Sequence, residues 1–94
     1  AIQMNDGSLT PSMADYKADC MATRLAPGAG EFDCVGFVQR LADLGVTAPI
    51  SVEVCSEAMW ALPVDESARL AAEGTSIVFI SHNPASTSFD SEYA

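Results

Sequence analysis

Glu53 is the residue whose type and place ask most plainly for chemistry. It stands between Val52 and Val54 in ISVEVC, on a segment that otherwise reads as an apolar strand. Burying a lone carboxylate there costs several kcal/mol unless it meets a cation, a proton or hydrogen-bond donors. Metal ligation is the explanation its surroundings favour; a sheet-edge pairing with arginine is the plain structural alternative. A carboxylate in such a place can serve a divalent metal, act as a base toward a carbon-bound proton, or do both.

The elements that must position Glu53 can be read outward from it. Ile50, Val52 and Val54 point one way and Ser51, Glu53 and Cys55 the other, which predicts a strand over 50–55 opened by Pro49. Before it, Cys34, Phe37, Val38, Leu41 and Leu44 recur at helical spacing. Asp33 is the expected N-cap and Gly45 the expected C-terminal stop of that helix. A first short strand is expected at Ile2 and Met4, alternating with Gln3 and Asn5 and ended by the Asn5-Asp6-Gly7 turn.

Residues 8–30 hold two prolines and two glycines without a clean apolar period, so a long loop is expected, with a short helix around Met13 to Ala22. Ser56 to Pro63 reads as a second loop. Pro63 to Glu73 reads as a helix with Asp65 and Glu66 in its first turn. Gly74 could end it; Ser76 to Ile80 then suits either a strand or a continued helix. Residues 81–94 are expected to form a polar, poorly ordered tail.

Strand, crossover helix and strand make a right-handed βαβ unit with parallel strands. Two parallel strands do not make a stable sheet alone, and each strand here has an apolar and a polar face. In a (β/α)8 barrel the outward strand face meets helices, and the active site forms at the C-terminal ends of the strands. Gln3, Asn5, Ser51 and Glu53 would then point inward. The loops 6–30 and 56–62 would lie on the catalytic face. The fold class expected is therefore α/β, the last two βα units of a (β/α)8 TIM barrel.

The bulk numbers set outer limits. The chain has 94 residues, enough for one small domain at most, and is 49% hydrophobic, which argues against disorder. Four Lys and Arg against 13 Asp and Glu give a net charge of −9. No basic cluster exists to meet nucleic acid or an anionic membrane surface, so neither is an expected partner. No apolar run approaches the roughly 18 residues of a membrane span. Three cysteines, an odd number without CxxC spacing, fit a reducing cytoplasm. The chain starts directly in strand-like residues, AIQMNDG, which reads as a piece of something larger.

Three segments in this order, IQMNDG, then RLAPGAGEFDCVGFVQRLADLGV, then PISVEV, resemble the end of the xylose-isomerase-like barrel superfamily. That group includes sugar phosphate isomerases and epimerases, hydroxypyruvate isomerase, ketose 3-epimerases and inosose dehydratases. The resemblance covers residues 1–75. A complete barrel takes about 250 residues, so this chain would supply roughly a third of one.

The resemblance implies that Glu53 is the last-strand glutamate that binds a divalent metal and takes part in proton transfer. It implies that Gln3 occupies the position of a second ligand, a histidine in most members and a glutamine in hydroxypyruvate-isomerase-like ones. An amide oxygen suits Mg²⁺, Mn²⁺ or Co²⁺ better than Zn²⁺. Arg24 matches an arginine before the PG-x-GE loop that contacts substrate oxygens. Its guanidinium suits a hydroxyl, a carboxylate or a phosphate, and equally a salt bridge with one of the many acids. The stretch between Asp6 and Arg24 is longer than in hydroxypyruvate isomerases.

Asp6 is a candidate for supporting the substrate loop, with an Asx turn at Gly7 as the local alternative. Trp60 is a candidate for lining a substrate pocket or an interface. Glu31 resembles the family's GE, and helix-terminus electrostatics also explains it.

The function expected is therefore the C-terminal part of a divalent-metal-dependent sugar, sugar phosphate or hydroxy-acid isomerase or epimerase. The chain alone would be inactive. The alternatives are a dehydratase on the same barrel, of inosose or dehydroshikimate type, and a non-catalytic fragment. Such a fragment would associate with other chains, or with a second copy, through exposed strand edges.

Overall fold

The computed structural model describes residues 1–82. Their order is β1 (Ile2–Met4), α1 (Tyr16–Ala22), α2 (Cys34–Asp43), β2 (Ile50–Val52), α3 (Glu57–Trp60) and α4 (Val64–His82). The two strands pair in parallel, with Ile2 beside Ile50, Gln3 beside Ser51 and Met4 beside Val52. Both are shorter than their alternating patterns suggest. The ladder nevertheless runs one step further, through the Glu53 N–H donating to the Met4 carbonyl at 3.2 Å.

Helices α2 and α4 pack on each other and on one face of this pair. Met4, Cys34, Val38 and Val78 form the buried centre, with Phe32, Ile50 and Phe79 against it. Helix α2 starts where expected: the Asp33 carboxylate accepts the Gly36 N–H at 2.9 Å. It also stops where expected, at Gly45, whose φ of 73° belongs to the left-handed region that glycine tolerates.

Two expected boundaries are corrected, and a third that the sequence left open is settled. Helix α1 begins at Tyr16, not Met13, because Asp15 caps it through the Lys17 N–H at 3.0 Å. The Ser12 and Met13 amides are turned away to the Asp19 carboxylate at 2.8 and 3.1 Å. The loop expected over 56–63 contains the short helix α3, capped by the Ser56 hydroxyl, which accepts the Met59 N–H at 3.2 Å.

Helix α4 does not end at Gly74 but runs on through residue 82. Val78 on the later turn is 1% exposed while Ile77 and Ile80 are 62% and 43% exposed, so the β-branched run is a continued helix, the second of the two readings, with one side buried. Thr75 and Ser76 return their hydroxyls to the carbonyls of Ala71 and Ala72 at 2.7 and 2.8 Å. Gly74 is needed for close packing instead. A Cβ there would run into the Pro27 carbonyl oxygen. Of the expected polar tail, the first two residues complete α4; 83–94 lie outside the described residues.

Candidate functional site at the polar strand face

The face opposite the helices carries Gln3, Asn5, Ser51 and Glu53. Gln3, Ser51 and Glu53 are exposed, and Asn5 is half-buried. The Asn5 side-chain amide donates to the Glu53 backbone carbonyl at 3.2 Å and ties the two strand ends together. Strand spacing of about 4.8 Å and a two-residue rise of about 6.6 Å separate the Gln3 and Glu53 Cα atoms by roughly 8 Å. Both side chains are long enough to reach a shared point between them.

Among the described residues, no hydrogen bond or ion pair engages the Gln3 amide or the Glu53 carboxylate. The expected desolvation of Glu53 is therefore not met in this chain. Nothing described covers that face, so water meets the charge. Among the described residues, no three His, Cys, Asp or Glu side chains converge as a metal site. The donor set that Glu53 and Gln3 offer is two oxygens, one anionic and one neutral, which fits a hard divalent cation lacking the rest of its shell.

Arg24 joins the strand ends through the backbone. Past the strands, Asp6 and Leu25 exchange backbone hydrogen bonds at 2.9 Å in each direction, antiparallel. Thr23 bridges Ser56 in the same sense, and the Arg24 N–H donates to the Cys55 carbonyl at 2.9 Å. Residues 23–25 are thus wedged between the C-terminal ends of β1 and β2. This puts the Arg24 backbone at the strand ends, two residues past Glu53 on the β2 side.

The Arg24 side chain is buried and well partnered. Its Nη2 donates to the Cys20 sulfur at 2.9 Å, and its Nη1 lies 3.6 Å from Asp19 Oδ2. The guanidinium sits over the Phe32 ring, 5.4 Å from the centroid. A Cβ at Gly7 would come within 2.9 Å of the Phe32 ring and 3.2 Å of Arg24 Nη1, so this position takes glycine.

Asp6 is wholly buried on the helix side. Its Oδ1 accepts the Gly7 N–H at 2.7 Å and the Phe32 N–H at 2.9 Å, and its Oδ2 accepts the Gly28 N–H at 2.9 Å. Burial pushes its carboxyl pKa up. The amides of Gly7, Phe32, Gly30 and Gly28 outweigh that and hold it below the usual carboxylate value. Asp6 is therefore an organiser of the 28–32 loop rather than part of the strand face. The same charge, after burial itself, holds the neighbouring Cys34 thiol above its ordinary value. Gly30 is part of this arrangement, since a Cβ there would come within 2.5 Å of Asp6 Oδ1.

Trp60 ends α3 with its side chain 62% exposed, and no described hydrogen bond or ring contact engages the indole. Glu31 accepts the Leu9 N–H at 3.2 Å and so closes the long loop on itself.

Sequence reading missed Asp19. It is 3% exposed, and its carboxylate gathers two loop amides and Arg24. The only signal for it is an acid on a short helix followed by an arginine five positions on. No protein family, no curated protein and no solved structure matches this chain.

Proposed function

We propose that this chain is the last two βα units of a (β/α)8 barrel of the xylose-isomerase-like kind. In this reading the intact protein is a divalent-metal-dependent isomerase or epimerase of a sugar, a sugar phosphate or a hydroxy acid. One observation supports it above the rest: the parallel pair is two-sided in character. Helices α2 and α4 cover one face. Gln3 and Glu53 share the other, and Arg24 lies at the ends of the strands where the loops gather. A doubly wound sheet would need helices on both faces. A barrel turns its bare face inward and places chemistry at the strands' C-terminal ends.

In this reading Glu53 and Gln3 would hold the cation through their side-chain oxygens, with further ligands from the remainder of the barrel. A bound divalent cation would act as a Lewis acid toward the substrate's carbonyl and hydroxyl oxygens. The second oxygen of Glu53 takes a proton from the carbon next to the carbonyl. Returning it to the former carbonyl carbon, while the hydroxyl proton passes to the former carbonyl oxygen, isomerises the substrate; inversion at the same carbon takes its proton from a second acid on the opposite face, supplied by the remainder of the barrel. Arg24 directs its remaining N–H groups at substrate oxygens and fixes which carbon faces Glu53.

The three free cysteines accord with work in a reducing cytoplasm. Among the described residues, no helix is long and apolar enough to cross a membrane.

The test is Glu53→Gln in the intact protein. Divalent-metal binding, measured by equilibrium dialysis, should fall at least about tenfold with loss of the anionic ligand. Metal binding that is unchanged in this variant contradicts the assignment.

A further inference from the structure

The chain has four basic residues. Lys17 is exposed on α1, Arg40 is exposed on α2, and Arg69 on α4 is held by Glu66 and Glu73 at 3.6 and 3.0 Å. Arg24 is the basic side chain that the strand ends carry. It does not arrive there as an uncompensated cation. Its guanidinium is 10% exposed beside an Asp19 carboxylate that is 4% exposed.

The Asp19 carboxylate is fixed in its turn by the Ser12 and Met13 amides on its Oδ1, while its Oδ2 faces Arg24. The pair is therefore built, and a close opposite charge in a poorly solvated place removes most of the field that an anion would feel.

We propose that Asp19 is the positioning residue of this face and sets the charge preference of Arg24. Asp19 holds the guanidinium over Phe32 and neutralises it. Arg24 then meets its ligand as a hydrogen-bond donor to uncharged hydroxyl or carbonyl oxygens, not as an anchor for phosphate or carboxylate. This rests on the strand face being a substrate site. It narrows the substrate class to neutral, hydroxyl-rich molecules such as free ketoses.

The test follows the Arg24 Nε–H resonance of the ¹⁵N-labelled intact protein during titration with inorganic phosphate. In the native protein millimolar phosphate should leave that resonance in place. In Asp19→Asn it should move, with phosphate affinity up about tenfold or more, the effect of removing one unit charge close by. Asp19→Glu keeps the charge and should restore indifference.

A merely structural Asp19 gives no gain of anion binding in any variant. A folded Asp19→Asn protein that ignores phosphate overturns the proposal. So does a native protein whose Arg24 resonance already follows phosphate, and that arm decides the matter even if the variant fails to fold. Phosphate reports on Arg24 whether or not Glu53 holds a metal, so failure of the metal assignment is read separately.

Discussion

At neutral pH the Asp6 carboxylate is ionised, and its hydrogen bonds from the Gly7, Gly28 and Phe32 amides are charge-assisted. Its folded pKa lies below the ordinary value of 3.8. The stability it contributes is therefore fully present above that value and is lost as pH falls through the lower folded pKa. Asp6→Asn keeps the size but loses the charge and turns an amide toward N–H donors. Urea unfolding should show a loss of about 1.5–3 kcal/mol at pH 7, shrinking as the pH is lowered past 4. A loss that stays constant with pH would mean that the ionised form is not what holds the loop.

The sequence marks Asp6 as a turn residue because Gly7 follows it, and that much is local. Its wider role was not legible, since the donors at Gly28 and Phe32 arrive from far along the chain. Asp19 is hidden for the same reason: its burial depends on where the 8–15 loop folds back. Gln3, Glu53 and Arg24 were legible by type, but only the antiparallel bridges of residues 23–25 bring Arg24 to the strand ends.

At the scale of elements, the features written in neighbouring residues are found where they were expected. The Asp33 cap, the Gly45 stop and the alternation of both strands need only local physics. The length of α4 does not. Gly74 inside a helix is ordinarily a weak point, and alanine there should gain about 1 kcal/mol from propensity. Here the missing Cβ makes room for the Pro27 carbonyl, which is backbone and cannot swing aside. Overpacking of this sort costs about 1–3 kcal/mol, so Gly74→Ala should destabilise on balance. A higher midpoint in urea for the alanine variant would show that the approach of α4 to the 26–28 loop is looser than described.

For the molecule as a whole, the bare polar face and the two strand edges left unpaired among the described residues set the expectation. Val64, Ile77 and Ile80 on α4 and Trp60 on α3 are also exposed, at 85%, 62%, 43% and 62%. A parallel pair with so little covering does not hold itself together strongly. Under the barrel reading, neighbouring units cover these edges. Residues 1–94 alone should then show rapid amide exchange in β1 and β2, or associate into larger species on gel filtration. A stable monomer with protected strand amides would count against a barrel portion. The intact protein detected in its source cell should have a mass of about 30 kDa, that of a complete barrel. A species of 9.8 kDa there would make the short chain the working form.

The claim at the centre is that Glu53, on the face that the helices leave bare, holds a divalent cation for proton transfer. The measurement that bears on it most directly is a Mn²⁺ titration of the intact protein followed by electron paramagnetic resonance, native beside Glu53→Gln. The account predicts one tight Mn²⁺ per chain in the native protein and its loss or strong weakening in the variant. Equal Mn²⁺ binding by the two, or none by the native protein, would contradict it.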